Sequence, residues 1–295
     1  MSLKSSSVFP VEIYETIIDI VGLDRALAIS FPQSDYQHTT LRACCLTCRS
    51  WLPRARYHLY TTVLLNMGMI PTFVSSLSAN PANGLLVKKL YVVDHWKYRS
   101  ALSLIPLQFP QRLVNLEHVS LDRPRFGDVH TSFYGQLRKW KSVRSLVLHN
   151  AAYSSLDQVV RILTAFPNLR RLESVHSFHE GREVFSATLN RPFRRRTIRI
   201  PELELAGWFQ FPESFLDLFS PRCITSLRIP CSFEYDNTPI ASFIHECRYT
   251  LLHLVLDIKA SAPPGEAVKE NNVGMVFSRF IAVALHFNFV VHRPS

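Results

Sequence analysis

Three cysteines lie close together near the N-terminus, in the stretch CCLTC at positions 44–48. Cys45 and Cys48 have the CxxC spacing that serves either a zinc site or a redox-active pair. A structural zinc site needs four ligands, usually as two close pairs, but the remaining cysteines stand far apart at positions 223, 231 and 247. We therefore expect no metal site in this chain.

A redox-active pair would stand at the start of a helix that follows a strand, where the helix dipole lowers the thiol pKa. Here the cysteines instead fall within a helical pattern, with apolar residues at i, i+3, i+4, i+7 and i+11: Leu41, Cys44, Cys45, Cys48 and Leu52. Cysteine packs as a small hydrophobe on such a stripe. We predict that the three thiols are packing residues.

The stripe needs neighbouring helices to pack against. The segment FPVEIYETIIDIV (9–21) predicts a helix, with Pro10 at its start and Glu12 near its positive end. Its apolar residues are predicted to form one face: Ile13, Ile17, Ile20 and Val21, widened by Tyr14 and Ile18. Residues 22–40 are expected to form a loop, and Pro53 can start a third helix. Three such helices make a small core, so some apolar surface should face a partner.

This N-terminal region resembles an F-box, whose usual form is L-P-x-E-[IL] and an apolar helix, then a loop and a hydrophobic-C-x-L-[VT]-C-[RK]-x-W stretch. The resemblance covers residues 8–65, and these residues fall in order: Pro10, Glu12, Ile13, Ile17, Leu46, Cys48, Arg49, Trp51, Arg56, Leu59, Tyr60 and Val63. Two departures are Phe9 in place of the usual leucine and a 22–40 loop longer than in most F-boxes.

The resemblance implies docking on the Skp-type adaptor of a cullin–RING ubiquitin ligase. It also implies that the adaptor contacts or their immediate supports are Phe9, Pro10, Ile13, Ile17, Leu41, Leu46, Cys48 and Trp51. The alternative is that these residues only form the core of a helical subdomain.

From residue 85 onward a short L-x-L pattern returns. Its apolar anchors, 24 to 31 residues apart, are Leu90, Val119, Leu146, Leu172, Leu203, Leu227 and Leu254. A period near 27 lies in the leucine-rich-repeat range. Helices are predicted at 70–80, 131–140, 154–166, 212–220 and 238–250. Strand–turn–helix units of this kind stack into a curved solenoid with a parallel sheet.

An F-box followed by leucine-rich-like repeats resembles the substrate receptors of SCF-type ligases. The expected fold is mixed α and β (α+β or α/β): a three-helix F-box at 8–65, an irregular leucine-rich-repeat-like solenoid at 66–272, and an atypical cap or tail at 273–295. That last segment could form a final helix or strand, or be an altered end of a truncated repeat.

Target-binding candidates lie beside the anchors on the opposite face of the strands: Tyr91, His118, Ser145, His149, Arg171, Arg228 and His253. Each could equally be a solvated strand residue.

The charge and motif content of the sequence also bear on two other functions, nucleic-acid binding and catalysis. The formal net charge is +10, and the densest basic run, RPFRRRTIR at 191–199, fits either a solvated loop or an anion or nucleic-acid patch. We favour the loop and do not expect nucleic-acid binding. No HExxH, GxSxG, GxGxxG or GxxxxGK[ST] motif occurs, so we expect a non-catalytic protein without a cofactor. A repeat scaffold that binds a protein or RNA, without a ligase role, is the alternative.

Membrane insertion is not expected either. The longest apolar stretch, FIAVALHFNFVV at 280–291, is shorter than the ~20 residues that a helix needs to cross a bilayer. The first residues contain no apolar core of signal-peptide length. We therefore expect a protein of the cytoplasm, the nucleus or both, with thiols rather than disulfides.

Overall fold

The computed structural model describes residues 10–28, 34–93, 102, 105–153, 155–175, 178–179, 198–206, 213–232, 238–259 and 289–292. Among the predicted residues, Phe9 and the arginines of the 191–197 run lie outside this described part.

Three helices open the chain: α1 (Val11–Ala28), α2 (Ser34–Thr47) and α3 (Leu52–Thr61). Pro10 precedes α1, and its carbonyl accepts a hydrogen bond from the amide of Ile13 at 3.1 Å. The helices share a small core of Ile18, Leu41, Cys44 and Ala55. Here the predicted N-terminal helix and the third helix are both present.

The loop predicted at 22–40 is wrong for its described residues, because α1 continues to Ala28 and α2 begins at Ser34. Residues 23–28, LDRALA, contain leucine, alanine and arginine, which have high helix propensity. Gly22 does not end α1, and its lack of a side chain allows the close approach of α1 to His58 on α3. A Cβ at this position would overlap the imidazole ring of His58.

Eleven strands follow in the described residues: β1 (Thr62–Asn66), β2 (Lys89–Val93), β3 (His118–Asp122), β4 (Ser145–His149), β5 (Ala152–Tyr153), β6 (Arg171–Val175), β7 (Phe178–His179), β8 (Glu202–Ala206), β9 (Ser226–Ser232), β10 (His253–Lys259) and β11 (Phe289–His292). Nine of them form one sheet in the order β1-β2-β3-β4-β6-β8-β9-β10-β11, and every neighbouring pair is parallel. The short strands β5 and β7 pair separately, also in parallel.

The register of this sheet matches the alignment of apolar anchors read from the sequence. Each of the seven anchors stands directly opposite the next one across the sheet, from Leu90 opposite Val119 through to Leu227 opposite Leu254. All seven are buried. The structure adds a member at each end, Val63 on β1 and Phe289 on β11. Part of the C-terminal segment is therefore a strand.

The connections between strands carry short helices: α4 (Ile70–Ala79), α5 (Ala82–Leu86), α6 (Ile105–Gln108), α7 (Ser132–Leu137), α8 (Leu156–Ala165), α9 (Glu213–Leu216) and α10 (Thr238–Cys247). All five predicted helices are present, although α7 and α9 are shorter than the segments 131–140 and 212–220. One continuous core joins the inward strand side chains to these helices. The chain is thus a mixed α/β protein built on a parallel sheet.

The N-terminal helices connect directly to the sheet. Helix α3 ends at Thr61, and β1 begins at the next residue. The hydroxyl of Tyr60 lies 2.8 Å from that of Ser76 on α4. The predicted boundary at residue 65 falls inside β1, which pairs with β2 and so belongs to the sheet. No helix in the described part of the chain is long and apolar enough to cross a bilayer.

Candidate functional site

The three cysteines at positions 44, 45 and 48 differ in their exposure to solvent. Cys44 is buried and Cys45 is half-buried, and burial raises the pKa of both thiols. Cys48 is exposed, because α2 ends at Thr47 and Cys48 lies in the turn that follows. Its Sγ lies 3.0 Å from the Ser50 hydroxyl, and this hydrogen bond lowers the Cys48 pKa. The prediction that Cys48 is a packing residue is therefore wrong.

Within the ranges that the structure describes, no group of three or more His, Cys, Asp or Glu side chains could hold a metal ion.

The apolar residues of α1 lie on two faces rather than one. Tyr14, Ile18 and Val21 face the neighbouring helices and are half-buried or buried. Ile13, Ile17 and Ile20 face outward, with 49%, 51% and 55% of their surface exposed. Their i, i+4, i+7 spacing places them on one side of the helix. We call these three residues the outer stripe of α1.

The other predicted adaptor residues differ in exposure. Pro10 is exposed, and Leu46 at the end of α2 is 87% exposed. Trp51 is half-buried, and its ring lies 5.7 Å from that of Tyr14. Leu41 is fully buried in the helical core, so it cannot contact a partner and can only support the residues around it.

An ion-pair cluster joins α1 to α3. The carboxylate of Asp19 accepts two hydrogen bonds from the guanidinium of Arg54, and its Oδ1 lies 2.8 Å from Nε2 of His58. The hydrogen bonds from Arg54, followed by the one to His58, lower the pKa of Asp19 from 3.8 to about 2. The cluster fixes the side of α1 that faces α3, and so orients the outer stripe away from it.

We expect Asp19→Asn to reduce stability in a pH-dependent way. The folded pKa lies below the unfolded one, so the ionised Asp19 stabilises the fold above about pH 4 and loses this effect as pH falls toward 2. Both partners are partly exposed, so solvent screening limits the expected loss to about 1 kcal/mol at pH 7. Urea unfolding of both proteins at pH 7 and pH 3 measures it. A difference that is equal at the two pH values would contradict this.

The second candidate surface is the outer face of the sheet. In a strand, alternate side chains point to the same face, and the register aligns the first, third and fifth positions of successive strands. All seven predicted target-binding residues occupy these odd positions. They therefore share one face, opposite to the buried anchors.

Six residues of this face form a connected row from β2 to β9. The rings of Tyr91 and His118 lie 5.3 Å apart, and Nδ1 of His118 lies 3.0 Å from the Ser145 hydroxyl. Arg171 stands beside Ser145 in the register. A guanidinium nitrogen of Arg171 donates to Glu204 at 2.9 Å, and Arg228 donates to the same carboxylate at 2.8 Å. We call these six residues the outer row: Tyr91, His118, Ser145, Arg171, Glu204 and Arg228.

The two remaining candidates lie elsewhere on the same face. His149 occupies the last position of β4, opposite Asp122, and His253 begins β10 and is exposed. Glu204 is not among the target-binding residues predicted from the sequence. Its position in ELELA, two residues from Glu202 and between buried leucines, is the signal that places it on the outer face.

His118 is neutral at physiological pH. Burial lowers its pKa to about 4, and the positive charges of Lys89 and Arg171 add to this effect. Burial also raises the pKa of the neighbouring Tyr91. One end of the outer row is therefore an uncharged aromatic pair, whereas the other end is a network of ion pairs. Such a surface can recognise a protein by shape, stacking and hydrogen bonds.

No protein-family model matches this chain, and none of the curated proteins matches it. Its functional assignment therefore depends on the two surfaces described above.

Proposed function

We propose that this protein is the substrate-recognition subunit of an SCF-type ubiquitin ligase. In this proposal its F-box-like helices dock on a Skp-type adaptor, and a leucine-rich-repeat-like solenoid holds a target protein on the outer face of its sheet. The protein itself is non-catalytic. The observation that supports this most is the outer stripe of α1, three isoleucines about half exposed on one side of a helix that has already covered its inner face.

The outer stripe has the chemistry of a docking surface. Scattered exposed apolar residues are ordinary, but three in line on one helix make a continuous apolar strip that a partner can cover. Burying the exposed half of each isoleucine contributes about 1 kcal/mol. The stripe lies within the segment that resembles an F-box, and Ile13 and Ile17 are residues of that motif. This coincidence favours a Skp-type adaptor over an unrelated partner.

The outer row supplies the second half of the proposal. Tyrosine and arginine dominate the binding energy of many protein interfaces, and the row presents both on a rigid sheet. The ion pairs from Arg171 and Arg228 to Glu204 fix these long side chains before binding, which reduces the entropy lost on association. The strand register and the helical connections favour a repeat solenoid as the support for this face.

Co-purification with a Skp-type adaptor tests the first half. We expect a stoichiometric complex with the wild type, weakened at least about tenfold in Ile13→Asp/Ile17→Asp because two charges would have to be desolvated in the interface. Both residues are exposed, so the variant should fold, as circular dichroism can check. Trp51→Ala is less suitable, because Trp51 packs on Tyr14.

The matched control is Leu85→Asp/Leu252→Asp, which adds the same charge at two apolar residues that are 52% and 65% exposed elsewhere. It should bind the adaptor as the wild type does. Binding through apolar contacts should also persist at about 0.5 M NaCl, where the screening length falls to roughly 4 Å. If the folded wild type forms no complex, the ligase role is rejected and a repeat scaffold without an adaptor remains.

A further inference from the structure

A basic groove lies at the edge of the nine-stranded sheet where strands β3, β4, β6 and β8 begin. Its volume is about 500 Å³. Four cationic side chains line it: Lys141, Arg144, Arg170 and Arg199. All four are exposed. The groove is separate from the outer row and from the outer stripe of α1, and the surfaces discussed so far make no use of it.

The repeat positions two of these arginines. Arg144 immediately precedes β4 and Arg170 immediately precedes β6. The amide of Arg144 donates to the carbonyl of Glu117 at 2.8 Å, and that of Arg170 donates to the carbonyl of Arg144 at 2.7 Å. Neighbouring strands are about 4.8 Å apart. The backbone therefore places Arg144 and Arg170 next to each other on adjacent strands, so that both side chains can reach one multiply charged group.

Two asparagines hold the loops of the groove. The side-chain amide of Asn168 donates to the carbonyl of Lys141 at 2.7 Å, and that of Asn115 donates to the carbonyl of Leu85 at 2.8 Å. Both asparagines also line the groove. The loop that carries Lys141 is thus tied to the loop before β6, so the cations stand on an ordered frame.

Charge in the groove is unbalanced. Glu117 is the one carboxylate among the lining residues that the structure describes, against four cations. On the outer row, by contrast, Arg171 and Arg228 both pair with Glu204. Among the described residues, none of the four groove cations has an ion-pair partner of this kind. Four cations against one carboxylate leave an excess of positive charge in the described lining, which favours an external anion.

We propose that this groove binds a compact polyanion, that is, clustered phosphate or carboxylate groups carried by a peptide or a small molecule. Arginine suits such groups, because its planar guanidinium donates two parallel hydrogen bonds to one phosphate or carboxylate. A volume of about 500 Å³ is typical of small-ligand sites. The described lining contains no aromatic side chain, whereas single-stranded nucleic acid is commonly held by stacking on such residues.

Calorimetric titration of the full chain with sodium tripolyphosphate, at about 0.1 M NaCl, tests the groove. Arg144→Gln/Arg170→Gln should weaken binding at least about tenfold, since it removes the paired donors on adjacent strands. The control Arg161→Gln/Arg222→Gln removes the same charge at two exposed sites outside the groove and should bind as the wild type does. Equal binding by the groove variant, or an equal loss in the control, would overturn the proposal.

Further titrations separate the possible ligands. Tighter binding of a peptide with three consecutive phosphoserines than of tripolyphosphate would support the groove and identify a peptide ligand, and the reverse order would support a small molecule. A single-stranded RNA that binds with a steep salt dependence, while tripolyphosphate does not bind, would reject the compact polyanion in favour of nucleic acid. The groove variant leaves the outer stripe of α1 intact, so it should bind the adaptor as the wild type does. The groove proposal and the proposed adaptor binding can therefore each be rejected without rejecting the other.

Discussion

Leu146→Ala is expected to lower the free energy of unfolding by about 2–5 kcal/mol, because it leaves a cavity in the middle of the core. Leu146 is fully buried on β4, between Val119 on one neighbouring strand and Leu172 on the other. The continuous core extends from β1 to β10 through this position, so a cavity here lies between packed layers on both sides. Urea denaturation followed by circular dichroism measures the loss.

Leu252→Ala serves as the control for this substitution. Leu252 is 65% exposed just before β10, and its truncation should change the free energy of unfolding by no more than about 0.5 kcal/mol. A loss at Leu146 no larger than that at Leu252 would show that the core is not packed as described.

Gly84→Ala should destabilise the protein by about 1–3 kcal/mol, although alanine normally favours a helix over glycine. Gly84 is buried in the short helix α5, and a Cβ there would overlap the carbonyl oxygen of Arg112. The backbone at Arg112 is held in place, because its amide donates to the carbonyl of Phe109 at 2.9 Å. The Arg112 side chain is bonded to the Val74 carbonyl at 3.0 Å and to the Ser78 hydroxyl at 2.9 Å. Thermal unfolding of the variant gives the size of the effect.

Gly135→Ala should have the opposite sign. Gly135 lies in α7 with open space where its Cβ would be, so alanine should stabilise the helix by about 0.4–1 kcal/mol. If both glycine variants shift the midpoint in the same direction, the close approach of α5 to the loop at Arg112 is not what determines the effect.

The register of the sheet could be predicted from the sequence because each strand buries one face. A one-residue slip would turn every anchor to the outside, so the apolar pattern favours a register in which anchors stand opposite anchors. The same alternation placed Tyr91, His118 and Arg171 together on the outer face. Their contacts with one another, and with Glu204, depend on side-chain conformations that no periodicity specifies.

The three N-terminal helices were harder to predict than the sheet, because they bury only a few residues and so leave a weak apolar pattern in the sequence. The polar sequence SDYQHTT in the first half of α2 has no apolar stripe, so nothing in it distinguishes a helix from a loop. On α1 the isoleucines and their neighbours gave one broad apolar pattern. Only the packing of α2 and α3 decides that Ile18 is buried while Ile17 is exposed.

The unequal repeats have a consequence for how this protein can change over evolutionary time. The anchors are separated by 24 to 31 residues, yet the strands they occupy remain in strict register. The differences in repeat length therefore lie in the connecting segments, while the anchor positions of neighbouring strands stay aligned. The residue positions on the outer face are therefore fixed relative to one another by the strand register. Under the proposed function, single substitutions on this face would change which target is bound, while the length of the connecting segments varies independently.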